Sequence, residues 1–244
     1  MALQNDTCFR GKSAVVTGAS SGIGRAIALA LASAGADLQI AGRRGDALRS
    51  VADACGSRVT PSIVDLENGD ETERWADRLR ETCGSVDVLV HGAGVISVAE
   101  MTEARIADFD RQYRVNVRAP YRLTQALLPL LRACQGQVVF LNSSAGLAAR
   151  AGTGQYAATK HALAAVADSL REECNADGIR VLSVYLGRTA TSMQSEVHNA
   201  EGKEYHPDRL MQPDDVAAVV LNALRLPRTA EVTEITMRPL KKPA

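Results

Sequence analysis

The chain has 244 residues, of which 46% are apolar, and 28 Lys+Arg stand against 28 Asp+Glu. That is apolar enough to bury one large core, which excludes a disordered, collagenous or disulfide-scaffold chain. The balanced charge lacks the basic excess that attracts polyphosphate backbones, so no nucleic-acid partner is expected.

The N-terminus, Met-Ala-Leu-Gln-Asn-Asp-Thr-Cys, has neither the basic start nor the apolar core of a secretory signal, and a cytoplasmic location is expected. A first short apolar run, 13–17, reads as a strand. It leads into Thr17-Gly18-Ala19-Ser20-Ser21-Gly22-Ile23-Gly24-Arg25 and then an alanine-leucine helix over 26–34. The longest apolar stretch, 26–36, holds Ser33 and Gly35 and falls short of the ~20 residues that span a bilayer, so no membrane anchor is expected. Further strand-like runs lie at 37–41, 58–64, 86–91, 137–141, 180–186 and 231–237, with helical periodicity between them. Near-continuous apolar runs suit strands covered on both faces. The alternation of strand and helix therefore implies an α/β, Rossmann-type doubly wound parallel sheet of about seven strands, flanked by helices and built as a single domain over 1–244. Five scattered cysteines and four histidines show no close pairing or ligand spacing, so neither disulfides nor a metal site is expected.

Three glycines bracket the first strand-to-helix turn, with spacing G-x-x-x-G-x-G. Gly18, Gly22 and Gly24, with Ser20, Ser21 and Ile23 between them, form a turn that lets backbone N–H groups approach a diphosphate at the positive end of a helix. An ordinary βα turn carries glycine too, but here the strand and the helix that the motif requires are both in place. The second strand ends Ile40-Ala41-Gly42-Arg43-Arg44, with no carboxylate where an acid would grip a ribose 2′-hydroxyl. Arg43 and Arg44 offer charge-assisted hydrogen bonds to a 2′-phosphate, so NADP(H) is expected over NAD(H).

Further along, Tyr156-Ala157-Ala158-Thr159-Lys160 places a phenol and an ammonium four residues apart on one helical face. A cation there is expected to favour the phenolate and bring the tyrosine toward a range useful for proton transfer. Ser143 stands thirteen residues upstream in Leu141-Asn142-Ser143-Ser144-Ala145-Gly146, at the C-terminal end of a strand, where open α/β sheets bind ligands. The helix over 156–174 carries Leu163, Val166, Leu170 and Cys174 on one stripe among many alanines.

With these motifs in place, the chain resembles the short-chain dehydrogenase/reductase family, in its single-domain branch of roughly 250 residues. The resemblance covers nearly the whole chain. It implies a catalytic set of Asn116, Ser143, Tyr156 and Lys160, with Asn116 lying in Val115-Asn116-Val117. It also implies cofactor contacts from Asp65 and Leu66 after the third strand, from Ala93 and Gly94, from Asn116, Tyr156 and Lys160, and from Gly187, Thr189 and Thr191 after the sixth. Two departures stand out. Both asparagines of the family's N-N-A-G are replaced, by His91 and Gly92, and its Pro-Gly after the sixth strand is Leu186-Gly187. A strand-end histidine reads as structural and is left out of the catalytic set.

The resemblance further implies hydride transfer between nicotinamide and a carbonyl or secondary alcohol, with Tyr156 as general acid or base, as in a carbonyl reductase. An NAD-dependent alcohol dehydrogenase and a non-catalytic dinucleotide-binding sensor are the alternatives. Val95, Ile96, Ala145, Leu147, Leu186 and Met193 are expected to line a mainly apolar substrate pocket. The polar segment 191–211 reads as an irregular loop able to act as a lid. A homodimer or homotetramer is expected, packed through the helices at 108–133 and 156–174.

Overall fold

The computed structural model describes residues 8–241. Seven strands, β1 (Ser13–Thr17), β2 (Asp37–Gly42), β3 (Val59–Ile63), β4 (Val88–His91), β5 (Gln137–Ser143), β6 (Arg180–Leu186) and β7 (Glu234–Met237), form one sheet in the order β3-β2-β1-β4-β5-β6-β7. Every pair is parallel. The expected strands are therefore all present, with ends that move by up to three residues. Pro61 sits in β3, which pairs only with β2, and an edge strand is where a missing N–H is tolerated.

Side-chain alternation divides the sheet between two cores. Ala14, Val16, Leu38, Ile40, Val88 and Val90 face one side, where they pack with Ile27 and Leu31 of α1 (Gly22–Ser33), Leu48 of α2 (Gly45–Cys55) and Val216 and Val220 of α8 (Pro213–Leu224). Val15, Leu89, Val138, Phe140 and Val181 face the other. They pack with Trp75 of α3 (Gly69–Thr82), Leu123 and Leu127 of α5 (Ala119–Arg132) and Leu163 and Ala167 of α6 (Gly154–Cys174). Burial on both faces is why these strands read as continuous apolar runs. On α6 the buried stripe is Leu163, Ala167, Leu170 and Cys174. Val166 is only half-buried, so Ala167 takes the place expected for it and lets the helix lie close to the sheet.

Two segments differ from expectation. The helix expected over 108–133 is divided into α4 (Ile106–Tyr113), a π-helical turn (Arg114–Arg118) and α5. The segment expected to be irregular contains α7 (Ser192–Ala200) and a 3₁₀ turn (Pro207–Arg209). Thr191 caps α7, its Oγ1 accepting from Gln194 N at 3.2 Å. The Thr-x-x-Gln pattern was the available signal. It is weak because the nine-residue helix buries only Val197 and His198.

Candidate active site

The strand order reverses between β1 and β4, and the glycine turn lies at that switch point. One hydroxyl joins the two strand ends: Thr17 Oγ1 donates to Val90 O at 3.3 Å and accepts from Gly92 N at 3.1 Å and Ala93 N at 3.3 Å. Gly18 has φ +69°, and a Cβ there would lie 2.6 Å from Gly92 O; one on Gly24 would lie 2.4 Å from Gly18 O. Neither position has room for a side chain, so backbone packs on backbone. Ser21 makes no side-chain cap on α1, and the first turn of that helix carries no acid. The positive end of a twelve-residue helix is thus left open beside Ser20, Ser21, Gly22 and Ile23, a cradle that fits a diphosphate.

The rim of this cradle is less converged. Arg44 Nη2 donates to Ser20 O at 3.3 Å, while Arg43 is exposed. Asp65 is held in place by its neighbours: its N–H donates to Glu71 Oε2 at 2.9 Å and its Oδ1 accepts from Glu67 N at 3.0 Å. Leu66 is buried beneath it. Glu67 in turn pairs with Arg114 at 2.9 Å and Arg111 at 3.3 Å, which holds its carboxyl below the usual range. On the other side, a Cβ built on Gly187 would lie 3.2 Å from Pro239, Thr189 Oγ1 donates to Gly187 O at 3.2 Å, and a Cβ on Gly22 would lie 3.0 Å from Thr191 Cγ2. The loop after β6 therefore closes against the glycine turn.

Ser143, at the end of β5, hydrogen-bonds Tyr156 from α6, and Ser143 Oγ accepts from Ala145 N at 3.2 Å. Lys160, one helical turn beyond Tyr156, is buried and donates to Leu141 O at 3.0 Å. Asn116 lies in the π-helical turn, fully buried. Its Oδ1 accepts from Val95 N at 2.9 Å and its Nδ2 donates to Val95 O at 2.9 Å and Thr159 Oγ1 at 3.1 Å. A π turn inside an α-helix commonly marks a functional position, and here it turns an amide inward that a helix interior does not favour. A side chain at Gly94 would point at Asn116 Oδ1, 3.5 Å away, and Lys160 Nζ, 4.0 Å away. Ala93 and Gly94 thus connect the glycine turn to this cluster.

Burial decides the electrostatics. Tyr156 is half-buried, and burial pushes its phenol up to about 12 against the opposing effect of the Ser143 hydrogen bond. The expectation that Lys160 lowers this pKa is not met. The ammonium is turned toward the Leu141 carbonyl, with Nζ 5.7 Å from the Tyr156 ring centroid. Burial lowers Lys160 itself to about 8. His91 is buried, bonded to Thr124 at 2.7 Å and stacked on Phe140, and burial lowers it to about 3; it is structural.

Of the expected pocket residues, Val95, Ile96, Ala145 and Met193 are half-buried and Leu147 is exposed. Leu186 is a correction: it points into the core on the α1 and α8 side rather than lining a pocket. Asn142 was missed. Its Oδ1 accepts from Ser143 N at 2.8 Å and its Nδ2 donates to Lys160 O at 3.1 Å, fixing two expected catalytic residues relative to each other. Gln112 was missed as well; its Oε1 accepts from Ser97 N at 3.1 Å, one helical turn before the Asn116 anchor. In both cases the signal was a buried amide, and an amide's burial is set by tertiary packing.

A doubly wound sheet with a glycine turn at its switch point and a Ser-Tyr-Lys cluster beside it defines a dinucleotide-type oxidoreductase. Residues 12–202 match the family described as short chain dehydrogenase. The chain belongs to that family. It is 36% identical over 241 residues to the glycine betaine reductase ATRR of Emericella nidulans, covering 96% of this chain but only 19% of that protein. It is 31% identical to an uncharacterized oxidoreductase of Staphylococcus aureus, covering 96% of this chain and all of the relative. Among solved structures, a short chain dehydrogenase of Escherichia coli CFT073 complexed with NADPH superposes with a TM-score of 0.86 at 31% identity, covering 95% of this chain and 98% of that one.

Proposed function

We propose that the chain is an NADP(H)-dependent carbonyl reductase acting on a small, mainly apolar carbonyl compound. The observation that carries this reading is the convergence of Ser143, Tyr156 and Lys160 beside the glycine turn, with Asn116 buried behind them. A nicotinamide dinucleotide held at the glycine turn by Gly18, Ser20, Gly22 and Ile23 would supply hydride-transfer chemistry beside this cluster. Tyr156 gives its hydroxyl proton to the carbonyl oxygen as charge develops there. Ser143, whose Oγ accepts from Ala145 N, can turn its O–H from Tyr156 to hydrogen-bond the same oxygen. Lys160, lowered to about 8, is suited to returning a proton to the tyrosine near neutral pH.

Arg43 and Arg44 at the end of β2 support NADP(H) over NAD(H). A Cβ at Gly42 would lie 3.1 Å from Ser20 Oγ, 3.4 Å from Ser20 Cβ and 3.7 Å from a Leu48 methyl, so the one tight contact is with a hydroxyl that can rotate. Combining Gly42→Asp with Arg43→Ser is therefore expected to lower the NADPH/NADH ratio of kcat/KM by at least ~10-fold, the size of a charge-assisted hydrogen bond to phosphate. An unchanged ratio counts against the assignment.

Segment 191–211 is read as the cover of the substrate pocket. Ile106, Tyr113 and Tyr121, exposed along α4 and α5, support association through the 108–133 helices with 156–174. Light scattering at micromolar concentration is expected to give a dimer or tetramer, and a pure monomer overturns this. The deciding experiment for function is NADPH consumption against ketones, aldehydes, diketones, quinones, 3-oxoacyl thioesters, oxosteroids and, after the fungal relative, glycine betaine. Silence across that panel with cofactor bound favours the sensor alternative.

A further inference from the structure

The loop after β6 and segment 191–211 are held together by a side chain with no assigned role. Arg188 lies one residue before Thr189 and three before Thr191, the residue that packs on Gly22. Its Nη2 donates to both carboxylate oxygens of Glu201, at 2.7 and 2.6 Å, and its Nη1 lies 3.1 Å from His198 Nε2. Both partners belong to α7 and its C-terminal end, so one guanidinium ties the start of the segment to a point ten to thirteen residues later. Met211 N donates to Arg188 O at 3.3 Å and Ala190 N to Met211 O at 2.8 Å, which returns the end of the segment to its base. Tyr205 donates from its hydroxyl to Thr191 O at 3.3 Å and sets its ring edge on His198, with centroids 5.4 Å apart.

We infer that Arg188 is a positioning residue, and that its clamp on neutral His198 and on Glu201 keeps segment 191–211 docked against the glycine turn. This rests on reading that segment as the cover of the site. His198 Nδ1 lies 2.7 Å from the Gln194 backbone carbonyl and 3.2 Å from the Gln194 side-chain Nε2; the carbonyl is the nearer partner and can only accept, so that nitrogen carries the hydrogen and Nε2 accepts from Arg188. The charged groups around the ring are Arg188, Glu201 and Lys203, whose Nζ is 3.1 Å from Glu201 Oε2; Glu204 pairs with His206 further along. Glu201 is thus already occupied by two cations. Protonating His198 removes the acceptor for Arg188 and puts a second cation against the guanidinium. The clamp in this form needs His198 neutral.

The test is hydrogen exchange in the full chain, corrected for intrinsic rates, together with NADPH titration, at neutral and mildly acidic pH. Neither readout needs turnover, so its outcome is separate from whether the protein reduces carbonyls. Arg188→Leu is expected to raise exchange across 188–211 by roughly tenfold and to weaken NADPH binding, with the central strands unchanged. His198→Gln, which can accept from Arg188 but cannot be protonated, is expected to match wild type at neutral pH and to keep its protection in acid, where wild type loses it. Unchanged exchange in Arg188→Leu, loosening that extends to the central strands, or an acid response in His198→Gln equal to wild type each overturn the inference.

Discussion

Tyr156→Phe is expected to bind NADPH as wild type does and to lose carbonyl turnover by ~10²–10⁴-fold, the range for removing a positioned proton donor. The substitution deletes one oxygen and leaves the ring beside Lys160. With the phenol at about 12 in the unliganded protein, Tyr156 is protonated throughout the neutral range. That suits a proton donor to a developing alkoxide. It also means that alcohol oxidation, which needs the phenolate, speeds up with rising pH while reduction does not. Parallel kinetics in both directions, beside fluorescence titration of cofactor, check this. Substantial residual reduction by the variant would remove Tyr156 from the proposed role.

Lys160→Met is expected to abolish most turnover while making the unliganded protein more stable at neutral pH. Lys160 is 4% exposed, and burial lowers its pKa from 10.5 to about 8, a cost to the folded state of roughly 3 kcal/mol below pH 8. Methionine fills a similar volume and gives up the hydrogen bond from the ammonium to Leu141 O, worth about 2 kcal/mol for a charged donor. The net gain is about 1 kcal/mol at pH 7. Because the unfolded chain binds the proton more tightly, the stability of wild type rises between pH 8 and 10.5 and the advantage of the variant fades over the same window. Urea melts at neutral and alkaline pH measure it. A variant less stable at pH 7, or a difference independent of pH, would show that the buried lysine carries no such cost.

These two residues also show how far the chain could be read without coordinates. Their spacing on α6 and the thirteen residues back to Ser143 are sequence properties, as are the runs that become β1 to β7. Depth is not. Lys160 is one turn from Tyr156 as expected, yet the two are dominated by burial, because β5 offers the ammonium a carbonyl to turn toward. Asn142 and Gln112 escaped notice for a related reason: an amide looks alike on a surface and in a core. The helix α7 was missed because His198 and Glu201 owe their positions to Arg188, and polar contacts of this kind leave no apolar periodicity.

The π-helical turn between α4 and α5 has a consequence for how this part of the chain can vary. Such a turn holds one residue more than an α-helical turn would, and each residue rotates the rest of the helix by about 100°. Asn116 faces Val95 on one side of that rotation, and Leu123, Leu127 and Leu131 face the sheet on the other. Deleting a single residue from 114–118 would restore a regular helix and force a choice between the two, sacrificing either the inward amide or the packing of α5. Here the chain can exchange side chains at solvent positions such as Arg118, but it is locked in length.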